Sequence, residues 1–236
     1  ELEHISFKVG RGQTLAVIGA TGSGKTTLVG LIPRFYDATD GEVLIDGVNV
    51  KDYTFDALYD RLGYVTQKAV LFAGTVQDNV FFGESAVPET DEALSDALSL
   101  SQAAEFVGKY PEGAAHPIAQ LGRNVSGGQK QRLCIARALA RKPEILVFDD
   151  SFSALDYRTD AALREGLAKE LPDTTKVIVA QRISTIRHAD QILVLDRGAA
   201  VGLGTHDELM QNCDVYREIA LSQLSAAELA EGGKTE

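Results

Sequence analysis

The 236-residue chain has no stretch approaching the roughly 18 consecutive apolar residues that a membrane-spanning helix needs, and nothing at its N-terminus resembles a signal peptide. It also lacks a basic excess. Lys and Arg number 23 against 34 Asp and Glu, a net charge of −11, whereas phosphate-tracking nucleic-acid binders are basic. Nucleic acid is therefore not an expected partner. Cysteine is scarce: Cys134 and Cys213 lie far apart with no metal-ligand spacing, which excludes a disulfide framework or a zinc ribbon. Cys134 falls in an apolar helical stretch and reads as a small core residue; a reducing, cytosolic compartment fits this usage. Internal repeats and low-complexity tracts are absent. The chain starts at Glu1 rather than Met and is expected to be part of something longer. At 44% hydrophobic, it can bury a full core as one large domain or as a domain with an inserted lobe.

The most specific stretch is GATGSGKTT, comprising Gly19, Ala20, Thr21, Gly22, Ser23, Gly24, Lys25, Thr26 and Thr27. It fits G-x-x-x-x-G-K-[ST]. The apolar run Leu15-Ala16-Val17-Ile18 before it has the character of a buried parallel strand, and Leu28, Leu31, Ile32 and Phe35 after it recur at helical spacing. Strand, glycine loop and helix in that order let backbone N–H groups and a helix N-terminus converge on a phosphate chain. Lys25 would reach the terminal phosphates and the Thr26 hydroxyl would hold Mg²⁺. These residues define a nucleoside triphosphate site.

Elsewhere, the alternation of Ile5, Phe7 and Val9 predicts a half-buried strand. Short strands are expected at residues 42–46 and 64–67, the latter ending in the polar Gln67. From about residue 75 to 110 the pattern turns helical, with Ala93, Ala97, Leu98 and Leu100 among Asp, Glu and Ser, and predicts a helical lobe inserted between strands. Ser126-Gly127-Gly128-Gln129 then opens an amphipathic helix lined by Leu133, Ala136 and Ala140. Ser126 and Gln129 have capping-box spacing, which is one reading of the motif. Two glycines at a helix start also let an anion approach the backbone, which is the other.

Ile145-Leu146-Val147-Phe148 predicts a second buried strand, ending in Asp149-Asp150, and residues 177–180 a third, ending in Gln181. A crossover helix is expected between them over residues 161–171. Ligands of open parallel sheets bind outside the carboxyl ends of the strands, so Gly19, Asp149, Asp150 and Gln181 should collect around one nucleotide. An acidic residue there is what a Mg²⁺ site opposite Thr26 requires; the alternative for paired aspartates is a helix cap. Further strands over residues 191–195 and 199–202 precede a helix capped by Thr205 with Glu208. The domain is expected to span residues 1–221, with the helical lobe at about 75–140, and residues 222–236 to fray.

The P-loop, NVSGGQKQR at residues 124–132, ILVFDD at 145–150 and SALD at 153–156 together resemble the nucleotide-binding domain of ATP-binding cassette (ABC) transporters, exporter class in particular. The likeness covers essentially the whole chain. It implies an α/β fold of the P-loop NTPase (RecA-like) type, with a parallel core sheet, an antiparallel β-subdomain and an inserted helical subdomain. It implies ATP and Mg²⁺ as ligands, and ATP hydrolysis coupled to transport. Gln67 falls where the family has the Q-loop glutamine, which ligands Mg²⁺ with Thr26 and Asp149 and faces the membrane domain; Asp156 falls in the D-loop. The segment at residues 70–76 resembles the exporter form of the stretch that receives coupling helices. Two such domains dimerise head to tail, so Ser126, Gly127, Gly128 and the adjoining Gln129 would meet the γ-phosphate bound by a second domain. A transmembrane domain, fused or separate, and a place at the cytoplasmic face of the cell membrane follow from the same resemblance.

The sequence departs from the family pattern at three points. Asp150 stands where a glutamate usually polarises the attacking water, Gln181 stands where a switch histidine usually touches the γ-phosphate, and no adenine-stacking aromatic precedes Ile5. The first two resemble the degenerate half of a heterodimeric exporter, a chain that binds ATP, hydrolyses it poorly and completes the site of a non-identical partner carrying the usual Glu and His. A competent homodimeric exporter domain is the alternative, with Asp150 acting through a water. A soluble ABC ATPase for DNA repair is a third reading, against which the acidic charge and the lack of a long coiled-coil insertion both count.

Overall fold

A computed structural model describes residues 2–232, with side chains described through Gln223. Strand β1 (Thr14–Gly19) leads through the glycine loop into helix α1 (Lys25–Gly30). A two-residue hairpin follows, β2 (Leu44–Ile45) with β3 (Val48–Asn49), then α2 (Phe55–Asp60) and β4 (Leu62–Val65). The lobe between β4 and the next core strand holds β5 (Gly74–Thr75), α3 (Val76–Val80), α4 (Asp91–Leu100), α5 (Ala104–Val107), β6 (Pro117–Ile118) and α6 (Gly127–Ala140). The core resumes with β7 (Ile145–Asp149), α7 (Tyr157–Glu170), β8 (Thr175–Val179), α8 (Ile183–Ile186), β9 (Gln191–Asp196) and β10 (Ala199–Gly204). Helices α9 (His206–Asn212) and α10 (Asp214–Gly232) close the described chain.

The central sheet runs β10-β9-β1-β8-β7-β4, parallel throughout except for β10, which returns antiparallel on β9. This is the expected α/β architecture, with small antiparallel pairs beside a parallel core. The apolar run of β1 is explained by burial on both faces. Leu15 and Val17 join Leu28 and Val29 of α1 in one cluster, whereas Ala16 and Ile18 join the larger cluster containing Leu133 and Ile135 of α6. The register brings the carboxyl ends level: Val17 lies opposite Val179, Val179 opposite Asp149, and Val65 opposite Phe148. The loops after four neighbouring strands thus open at one edge.

Several expectations change. The strand expected at 64–67 runs Leu62–Val65 and leaves Gln67 beyond its end, and the one expected at 42–46 is only Leu44–Ile45. Residues 5–9 alternate as a strand does but form no ladder; Ile5 and Val9 pack on the α1-side cluster, and only Glu3 bridges to Ala199. Alternation reports a half-buried segment, not a paired one. Helix α1 ends at Gly30, so the helical spacing out to Phe35 overreaches; Leu31–Arg34 form turns, and the Phe35 ring lies edge-on to Tyr64 at 5.0 Å. The backbone of α10 is helical to Gly232, through most of the tail expected to fray, and residues 233–236 lie outside the described residues. Cys134 and Cys213 are both free and buried, Cys134 in the core as expected.

Candidate functional site

The glycine loop is held tightly by its own fold. A Cβ on Gly19 would lie 2.1 Å from the Leu195 carbonyl oxygen of neighbouring β9, so the strand end admits no side chain. Gly24 has φ 101° and starts α1 with no side-chain cap, leaving the first helical N–H groups facing the loop. Thr21 and Gly22 are exposed at the tip, and Ser23 is buried beneath it. Lys25 reaches across this loop, its Nζ donating to the Gly19 and Ala20 carbonyls at 2.8 Å each. Partial burial pulls the Lys25 pKa down, and the negative charges of Asp150 and Asp149 push it back up.

Asp149 ends β7 and faces this loop from the next strand but one. Its Oδ1 accepts from the Thr26 hydroxyl at 2.9 Å and its Oδ2 from the Tyr64 hydroxyl at 3.3 Å. Burial raises its pKa, while the two hydroxyl donors oppose the shift. A hydroxyl and a carboxylate oxygen in contact form an oxygen pair suited to a hard cation. The Tyr64 phenol is pushed upward by burial and by Asp149, so it stays a neutral donor. Tyr64 carries no signal of this role in the sequence; its place on β4 beside β7 accounts for its reach.

Asp150 is bound differently. It sits in the left-handed region at φ 50°, which aspartate enters more readily than most side chains, and its carboxylate makes no capping hydrogen bond. The paired aspartates are therefore not a helix cap. Both the Gln67 and the Gln181 side-chain amides donate to the same oxygen, Asp150 Oδ2, at 3.0 and 2.6 Å. The other oxygen, Oδ1, and the neighbouring Ser151 hydroxyl are buried without a hydrogen-bond partner. Because Gln67 spends its nitrogen on Asp150, its amide oxygen is the atom left for a metal.

The segment after Gln181 is tied to the chain after Asp150. Arg182 donates to the Leu155 and Ser153 carbonyls at 3.2 and 3.3 Å, with its guanidinium 4.7 Å from the ring centre of Tyr157. Asp156, the expected D-loop residue, caps α7 by accepting from the Thr159 N–H at 2.9 Å. Neither Arg182 nor Ser151 stands out in the sequence; a lone arginine just past a strand end carries no spacing signal.

The structure thus gathers Gly19, Lys25, Thr26, Gln67, Asp149, Asp150 and Gln181 into one hydrogen-bonded corner. Ser126–Gln129 do not join it. Their side-chain hydrogen bonds are the internal ones of a capping box, Gln129 N–H to Ser126 Oγ and Ser126 N–H to Gln129 Oε1. A Cβ on Gly127 would meet nothing within 4 Å, so neither capping nor packing within this chain requires glycine there. The first corner has a cationic lysine over a glycine cradle, an oxygen pair and a buried carboxylate oxygen without a hydrogen-bond partner. These suit a triphosphate with its divalent cation.

Comparison with known proteins is consistent with this geometry. The family model described as ABC transporter matches residues 2–153. The chain is 46% identical over 229 residues to an uncharacterised ABC transporter ATP-binding protein of Mycobacterium tuberculosis, covering 96% of this chain and 39% of that protein. It is 41% identical over 218 residues to a putative multidrug export ATP-binding/permease protein of Bacillus subtilis, covering 92% of this chain and 37% of the relative. Among solved structures, a bacterial Atm1-family ABC exporter with ATP bound superposes with a TM-score of 0.87 at 36% identity, over 92% of this chain and 38% of that one. The chain therefore spans about two fifths of the length of these relatives. It belongs to the ABC transporter family.

Proposed function

We propose that the chain is the ATP-binding motor domain of an ABC exporter, which binds ATP with Mg²⁺, turns it over slowly at its own site, and lends its SGGQ loop to a second nucleotide-binding domain. The names of the relatives, multidrug export ATP-binding/permease protein and Atm1-family exporter, support the exporter part. No helix among the described residues is long and apolar enough to cross a membrane, so the transmembrane part would lie elsewhere in the polypeptide or assembly. Its docking surface would include the stacked, exposed Phe72 and Phe82 rings, 4.1 Å apart with Arg137 over both. An open groove of about 680 Å³ lined by Phe35, Tyr59, Tyr64, Glu84 and Arg141 would form another part of it.

In this reading Lys25 binds the terminal phosphates, the loop N–H groups orient them, and Thr26 and Asp149 hold the cation, with Gln67 completing its shell on dimer closure. A bound Mg²⁺ would neutralise charge on the β- and γ-oxygens. Ser126, Gly127, Gly128 and Gln129 face the ATP of the second domain; the open space around Gly127 supports this, because the demand for a small residue there does not come from this chain.

The observation that carries slow turnover is the shared Asp150 oxygen. Two amide hydrogens already occupy the lone pairs of Oδ2, so that oxygen is engaged and not free to take a proton from an attacking water. It is also one methylene shorter than glutamate. A misplacement of about 1 Å can cost on the order of 10²-fold, and losing a general base roughly 10²–10⁴-fold. Gln181 can donate to a phosphate but carries no positive charge. One feature favours the competent homodimer instead: the buried Asp150 Oδ1 has no partner and could hold an attacking water. Steady-state ATPase assays of the assembled transporter separate the two. Under the proposal, Ser126→Arg removes most activity and Asp150→Asn changes it less than about threefold, since a poor base is replaced by none. Equal damage from the two substitutions would establish the competent homodimer.

A further inference from the structure

The C-terminal helix reaches the active corner through one side chain. On α10, Tyr216, Ala220 and Gln223 follow at i, i+4 and i+7, so they share a face. Tyr216 and Ala220 are fully buried in the main core cluster beside Ile183 and Ile186 of α8. That anchoring delivers Gln223 to the loop carrying Gln181. The Gln223 Oε1 accepts from the Ile183 N–H at 2.7 Å, and its Nε2 donates to the Gln181 carbonyl at 2.6 Å. A glutamine serving only to cap α8 would need the first of these bonds, which satisfies an N–H of the first helical turn. The second bond fixes the peptide of Gln181 itself. From the opposite side, Arg182 binds the Ser153 and Leu155 carbonyls, and the buried Asp160 accepts from Thr185 at 2.8 Å, tying α8 to α7.

We infer that Gln223 is a positioning residue for Gln181: by bracketing the backbone on both sides of residue 182, α10 holds the Gln181 amide where it can reach both Asp150 and the γ-phosphate. The inference rests on the assignment of Gln181 to the phosphate, and not on the rate of hydrolysis. Gln181 presents its side chain to Asp150 at 2.6 Å while its carbonyl is bound by Gln223, so loss of the clamp frees the peptide from which that side chain springs. The C-terminal helix is then a lever on nucleotide retention.

The test uses the full-length transporter and the release rate of bound mant-ATP with Mg²⁺, counting only the component that Lys25→Ala abolishes. Gln223→Met keeps the length of the side chain and loses both bonds; Gln223→Glu keeps the acceptor for Ile183. Gln181→Ala and Gln223→Met are each expected to speed release about fivefold, the scale of one hydrogen bond, with Gln223→Glu between Gln223→Met and the unaltered protein. The double variant Gln181→Ala/Gln223→Met should release no faster than Gln181→Ala alone, because Gln223 acts only through Gln181. A merely structural role predicts effects that multiply in the double variant, and that result overturns the inference. So does unchanged release in both Gln223 variants while Gln181→Ala speeds it. If Gln181→Ala itself leaves release unchanged, the assignment of Gln181 to the phosphate is wrong, and the inference falls with it.

Discussion

Helices α1 and α6 both begin at glycine-bearing loops, yet the glycines answer to different constraints. At the start of α1, a Cβ on Gly19 would strike the Leu195 carbonyl oxygen, and one on Gly24 would lie 2.5 Å from Leu2 Cδ2 at a left-handed backbone position. At the start of α6, Gly127 has open space around it, and the nearest atom to a Cβ on Gly128 is the Ala154 carbonyl oxygen at 3.5 Å. Helix α6 is capped by side chains in a full capping box, whereas α1 has no side-chain cap at all. At Gly19 and Gly24 the demand for glycine therefore comes from this chain's own fold. The second loop shows no steric demand for glycine within the chain, which fits the proposed role of this loop toward a second domain.

Substitutions that separate fold from ligand test this contrast. The largest effect belongs to Gly19→Ala, which should cost about 3 kcal/mol or more and lower the thermal unfolding midpoint by on the order of 10 °C, because backbone rather than a flexible side chain must move. Next is Lys25→Ala, expected to weaken ATP binding about 100-fold in calorimetric titration with the midpoint little changed; Lys25→Arg should weaken it less. Unchanged ATP affinity in Lys25→Ala would remove the site from this loop. Asp149→Asn comes third. It should abolish most of the Mg²⁺-dependent tightening of ATP binding while leaving the metal-free affinity near its original value, since Asp149 pairs with Thr26 rather than with the phosphates. The smallest shift in stability is that of Gly127→Ala, within about 0.5 kcal/mol, although transporter turnover should fall. A loss of stability matching that of Gly19→Ala would erase the distinction between the two loops.

Much of the active corner could be read from residue order because parallel sheets put chemistry at strand ends. Gly19, Asp149 and Gln181 each follow an apolar run, Gln67 is placed by the family resemblance, and the level register of β1, β8, β7 and β4 brings them together. The capping boxes at Ser126 and Thr205 were equally legible, being local. What sequence could not supply were contacts decided by lateral neighbours. Tyr64 reaches Asp149 from an adjacent strand, and Gln223 reaches Gln181 across 42 positions of chain. Nothing in a list of residues shows that two amides share one oxygen of Asp150. The extent of α1 was overread for a related reason: Leu31, Ile32 and Phe35 keep helical spacing in a segment that turns, and Phe35 finds its partner in Tyr64 rather than along a helix.

Rebuilding the corner is the subtlest test of why turnover should be slow. Asp150→Glu adds the missing methylene, and Gln181→His removes one of the two amides on Oδ2 while offering a group that can carry charge to the phosphate. Glutamate enters the left-handed region less readily than aspartate, so Asp150→Glu costs some backbone energy at φ 50°, and its benefit alone should be small. Gln181→His alone removes one of the two amide donors on the carboxylate without extending it. Together they should raise ATPase activity of the assembled transporter by roughly threefold to tenfold, well short of the 10²-fold available to a fully placed base, because the Gln67 amide still holds Asp150 Oδ2 in the starting geometry. Adding Gln67→Ala would not serve as a clean third step, since the same side chain is assigned to the metal. If the double variant gains nothing while each single variant retains ATP binding, chain length and amide sharing at this corner do not limit turnover. On the proposed pairing with a second domain, the rate limit would then lie in closure or reopening, and the exposed α6 start rather than Asp150 would be the part of this chain to vary next.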